Sequence, residues 1–76
     1  MTDGVTVARG RAERIARAHA CLRCREYSYK QVTVAPADPA MREALGEVWH
    51  ATLECGVCGA LQELGIGGDG AVLYAG

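Results

Sequence analysis

Four cysteines, arranged as two C-x2-C pairs, constrain this chain more than any other feature. "ACLRC" holds Cys21 and Cys24, and "ECGVC" holds Cys55 and Cys58, with thirty residues between the pairs. A C-x2-C turn presents two thiolates on one side of a tight bend, and two such turns complete a tetrahedral metal site. Gly59, just after the second pair, suits the left-handed backbone such a turn favours, while Arg25 stands in the equivalent place after the first. The expected site is Cys21, Cys24, Cys55 and Cys58, holding one structural zinc ion. Four thiolates leave no open position for water or substrate.

The rest of the chain explains why it would need such a staple. It has 76 residues, no Phe, one Trp and three Tyr, and much of its apolar half is Ala and Val. A single domain of this size has a marginal core, and small scaffolds of this kind are held by disulfides, a metal or a partner. No secretory signal or membrane-spanning run is visible, so a reducing cytoplasm is expected, where paired cysteines serve as metal or redox groups. A redox C-x2-C requires a helix starting after its first cysteine. "CLRCREYSY" runs into a strand instead. The Ala, Gly and Arg content suggests a GC-rich bacterial genome.

The pattern predicts a small, mainly β domain over residues 1–76. Residues 1–8 read as a loose start or a short strand. A basic N-terminal arm or helix spans about 9–20, with Ala8, Ala12, Ile15, Ala16 and Ala20 on one face. A ribbon of three to four short strands follows over about 21–76. Tyr27–Ala35 is one strand, and Glu47–Cys55 is the next, with Trp49, Ala51 and Leu53 opposite Val48, His50 and Thr52. Between them, Asp38 followed by Pro39 opens a short helix that Gly46 ends. A third strand leaves the second cysteine pair, "GIGGDG" makes a hairpin turn, and Ala71–Ala75 closes the chain.

The two cysteine turns with strands between them resemble the zinc ribbon, in the broad rubredoxin-like group, over about residues 20–64. The echoes are "CREYSY" after the first pair, Trp49 ahead of the second, and "CGVCGA". The resemblance implies a metal at the four cysteines. In a rubredoxin that metal is iron and carries single electrons, which makes iron the less favoured alternative to zinc. Arg25, Gly56 and the position of Trp49 depart from the rubredoxin pattern. Zinc ribbons serve as nucleic-acid readers, as RNA polymerase parts and as small subunits of larger enzymes, including some bacterial carboxylases.

Charge and side-chain inventory narrow the role. The net charge is −1, with seven Lys/Arg against three Asp/Glu in residues 1–30 and one against six in the remainder. Arg9, Arg11, Arg14 and Arg17 are the candidate partner-binding residues, for a larger protein or multisubunit complex. With Arg23, Arg25, Lys30, Tyr27 and Tyr29 they also compose a possible nucleic-acid or transcription-machinery surface. Val5, Val7, Ile15, Leu61, Leu64, Ile66, Val72 and Leu73 are more apolar residues than so small a core needs, and some are expected to cover a partner. His19 and His50 are expected at the surface, and neither is needed as a ligand. No arranged nucleophile, base and acid appear, so a non-catalytic accessory protein is expected, with no membrane association.

Overall fold

The structure is a computed structural model and describes residues 6–76. Along the chain run α1 (Arg9–Arg17), β1 (Tyr29–Pro36), α2 (Pro39–Leu45), β2 (Glu47–Cys55), β3 (Leu61–Gly67) and β4 (Val72–Ala75). The strands form one antiparallel sheet in the order β1-β2-β3-β4, each beside its neighbour in sequence. Every strand connection is therefore local, which the short spacing between apolar runs demands. No helix among the described residues is long and apolar enough to cross a membrane.

One face of the sheet carries the core. Val34 of β1, Ala51 and Leu53 of β2, and Leu64 and Ile66 of β3 point to it and are buried, together with Val7, Ala12 and Ala16. The alternation expected for Glu47–Cys55 is present, since Ala51 and Leu53 are buried while Thr52 is exposed. Ala12 and Ala16 are fully buried, so α1 packs on the sheet through side chains one carbon deep. Its N-cap, Ala8, makes no side-chain bond to the first turn. A nine-residue helix without a cap is unstable alone, and its contacts with β1 and β2 are what hold it.

α1 is shorter than the expected 9–20. It stops at Arg17, where Ala18 N–H is shared between the carbonyls of Arg14 and Ile15, so Ala20 is not on its face. The residues beyond are committed elsewhere. The His19 carbonyl accepts the Tyr29 hydroxyl, and Cys21 N–H donates to the Glu26 carbonyl. The first predicted strand likewise starts two residues late, at Tyr29.

The short helix α2 follows its sequence signals. Asp38 Oδ1 accepts the Ala40 N–H at 2.8 Å, Pro39 opens the helix, and Gly46 ends it in the left-handed conformation at φ 76°. The predicted glycine-rich turn joins β3 to β4, although Gly65–Gly67 belong to β3 itself. Val7 N–H donates to the Gly68 carbonyl and Trp49 Nε1 donates to the Val7 carbonyl, so residues around Val7 strap the core side. The expected surplus of apolar residues is smaller than the sequence implies. Val7, Leu64 and Ile66 are core and Ile15 is packed against it, whereas Leu61, Val72 and Leu73 are exposed. Val5 lies outside the described residues.

Candidate metal centre

The four cysteines meet at the end of the β1–β2 hairpin remote from α2, where Tyr29 pairs with Cys55. Each pair sits in a turn of the same construction. Cys21 N–H donates to the Glu26 carbonyl at 2.8 Å, and Arg25 N–H returns to the Cys21 carbonyl at 2.8 Å. In the second turn Cys55 N–H donates to Ala60 at 2.9 Å, and Gly59 N–H returns to Cys55 at 3.1 Å. Arg25 (φ 65°) and Gly59 (φ 76°) hold the same left-handed position, the one the sequence marked at Gly59.

These turns aim all four sulfurs at one point. Their Sγ atoms lie within 4.8 Å of one another, with Cys21–Cys58 at 3.7 Å and Cys24–Cys55 at 3.5 Å. A disulfide needs about 2.05 Å. Thiolates around one tetrahedral ion, with metal–sulfur bonds near 2.3 Å, would stand about 3.8 Å apart. The cluster fits the second spacing, so it could hold a metal ion. Cys21 and Cys55 are buried, Cys24 is half-buried and Cys58 is exposed. No helix follows Cys24, so the setting of a redox C-x2-C is missing here.

Backbone amides already favour negative charge at the inner pair. The N–H groups of Arg23 and Val57 point at Cys21 and Cys55 Sγ, each at 3.4 Å, and Cys58 N–H also reaches Cys55 at 3.5 Å. Amides of Cys24 and Arg23 lower the Cys21 thiol to about 6. Those of Cys58 and Val57 lower Cys55. At Cys24 the amide of Glu26 pulls the same way, but burial and the facing sulfurs of Cys55, Cys58 and Cys21 outweigh it and push the thiol up to about 12. Four sulfurs this close cannot all be anionic unaided, and a central cation removes that repulsion.

A second layer fixes the first turn to the sheet. Gln62, 5% exposed, accepts the Leu22 N–H through Oε1 at 3.0 Å and donates through Nε2 to the Tyr29 hydroxyl at 3.3 Å. Burial first, then the nearby Cys21 and Cys55, raises the Tyr29 pKa, keeping the phenol a donor to His19. Such supports orient ligands as much as the ligands' own turns do. Gln62 is the site residue that sequence reasoning missed. Its parity with Leu64 and Ile66 on the core face was the available signal.

The four candidate arginines do not form one free patch. Arg9 Nε donates to the Val34 carbonyl at 3.1 Å, and Arg17 pairs with Glu13 at 3.0 Å. Arg11 and Arg14 are exposed. Of the two tyrosines, Tyr27 is 63% exposed while Tyr29 packs against the core. Histidine placement differs from expectation. His19 is half-buried, and His50 is half-buried among Glu47 of its own strand, Glu63 of β3 and Tyr74 of β4. Compared with protein-family models, curated proteins and solved structures, the chain matches none.

Proposed function

We propose that this chain is a zinc-ribbon module in which Cys21, Cys24, Cys55 and Cys58 hold one structural zinc ion, and that it serves as a non-catalytic accessory to a larger protein. The convergence of four sulfurs within 4.8 Å carries the reading. A closed shell of four thiolates offers no site for a reacting group, and zinc supplies binding energy to a fold whose core leans on alanines. The tips of the two cysteine turns support the docking role. Leu22 is 50% exposed and Val57 59% exposed, one on each turn, with Arg23 and Arg25 beside them. Apolar side chains rimmed by arginine are the composition of protein interfaces. The reducing cytoplasm belongs to the same reading.

The test begins with the chain expressed in medium containing both zinc and iron. Elemental analysis should give one zinc per chain, and the protein should be colourless. One iron per chain with visible absorption would replace this reading with electron transfer. Affinity capture, with and without nuclease and at two salt concentrations, then tests the partner. A protein retained at fixed stoichiometry supports the accessory role. Recovery of nucleic acid that is lost with salt would overturn it in favour of a basic nucleic-acid surface around Tyr27, Arg23 and Lys30.

A further inference from the structure

The end of the sheet opposite the cysteines holds a second polar site, independent of the metal. It begins with a row across three strands. His50 pairs with Gly65, and Gly65 pairs with Tyr74. A Cβ at Gly65 would collide with the Tyr74 ring, so the glycine is what lets that ring lie across β3. The Tyr74 hydroxyl then reaches Glu47 Oε1 at 2.9 Å. A regular strand would point Glu47 and His50 to opposite faces. The register shift between Glu47 and Trp49 turns Glu47 to the same side, and its Oε2 lies 3.0 Å from His50 Nδ1.

Glu47 is fully buried, and both its oxygens are engaged. On the other edge of the imidazole, Nε2 stands 3.1 Å from Glu63 Oε1. Glu63 is 60% exposed, and among the described residues His50 is its one ion-pair partner. These groups line an open cleft of about 500 Å³ beside α2, which Ala35, Pro36, Asp38 and Met41 also line. That volume is in the range of small-molecule sites. Glu47 and Glu63 face the imidazole, Asp38 lines the cleft beyond them, and no Lys or Arg lines it, so its polar lining is acidic.

A compact metal ion does not fit this arrangement. The two nitrogens of His50 are turned to different carboxylates, and the one group of three or more converging donors among the described residues is the four cysteines. Carboxylates spread around a cavity with a ring and apolar walls suit a diffuse charge on a carbon stem. We propose that the cavity between α2 and the sheet binds an organic cation, an alkylammonium or alkylguanidinium group, with its head at Glu63 and Asp38 against the Tyr74 ring and its stem along Met41 and Pro36. The ring face attracts such cations, and a buried, hydrogen-bonded Glu47 holds the ring and the imidazole in place for it. The same head group occurs on free amines and on the side chains of a partner's lysines or arginines.

The test is an NMR titration of the full-length, metal-loaded protein with n-butylguanidinium, with n-butylurea as its uncharged counterpart and magnesium chloride as an inorganic control. Saturable shifts confined to Met41, His50, Glu63 and Tyr74 are expected with n-butylguanidinium alone. Glu63→Gln should weaken binding at least about tenfold, with unchanged metal content and melting temperature. Tighter binding of N-acetylarginine N-methylamide than of n-butylguanidinium would identify a partner's side chain as the source. The reverse order would identify a free small molecule. Equal shifts with n-butylurea, matching shifts with magnesium, indifference to Glu63→Gln, or no saturation with n-butylguanidinium would each overturn the proposal.

Discussion

Arg25 and Gly59 occupy the same place in the two cysteine turns, at φ 65° and 76°, and only one of them is built for it. A side chain in the left-handed region costs roughly 1–2 kcal/mol. Glycine would remove that strain but loses more entropy on folding, which returns part of the gain. Arg25→Gly should therefore stabilise the metal-loaded protein by about 0.5–1 kcal/mol, read from denaturant midpoints at constant metal. An unchanged or lower midpoint would mean that the Arg25 side chain itself holds the turn. Tyr74 is the other residue with a private consequence. Burial, the hydrogen bond to Glu47 and the charges of Glu47 and Glu63 raise its pKa from 10.0 to about 12. The folded state holds that proton more tightly than the unfolded chain. Its contribution to stability is thus complete below pH 10 and is lost between pH 10 and about 12. Phenolate absorbance should show a late step that Tyr74→Phe reduces, leaving the part that belongs to Tyr29, and the variant's stability should fall less steeply across that interval. The cysteine turns were legible at this scale because a C-x2-C motif is a local instruction. The surroundings of His50 were not, because Glu63 and Tyr74 come from thirteen and twenty-four residues away.

Elements divide in the same way between local and distant causes. α2 could be read from Asp38, Pro39 and Gly46 because each acts on its own backbone. β2 could be read because alternation in "EVWHATLEC" matches a half-buried strand. The end of α1 could not, since helix formers continue past Arg17 and the stop is imposed by the path to Cys21. The bulge at Glu47 left no mark in composition either, yet it decides what His50 touches. In β3, Leu61 has the opposite parity to Leu64 and Ile66. Parity alone separates the exposed leucine from the buried pair, a distinction that a count of apolar residues misses. The pairing of β3 with β4 rests on Gly65, since any side chain there meets the Tyr74 ring. Gly65→Ala should displace the ring, break its bond to Glu47 and cost about 1–3 kcal/mol. Loss of the Tyr74 share of the late phenolate step would accompany the lower midpoint. Retention of both would show that the ring finds another route.

For the whole molecule the question is what the four cysteines contribute against a core that, among the described residues, has eight buried members, three of them alanine. A domain of this length has a total stability of roughly 4–11 kcal/mol at typical values per residue. Structural zinc in comparable small sites contributes about 10–16 kcal/mol. On those magnitudes a zinc ion held as proposed outweighs the margin of the fold. Cys21→Ser or Cys58→Ser should leave no sharp thermal transition by circular dichroism. A serine variant melting like the parent without metal would refute the dependence.

The position of the cysteines adds an order in time. β1 and β2 are joined at one end by α2, where Pro36 faces Trp49, and have no chain connection at the other, where Tyr29 faces Cys55 and the four sulfurs gather. A zipper with its slider removed opens from the free end. When a chelator strips the ion, amide exchange should quicken first near Tyr29 and Glu54 and last near Ala35 and His50. The metal end would be the perishable half of the molecule, and the acidic cavity would outlast it by the time the opening takes to travel the hairpin.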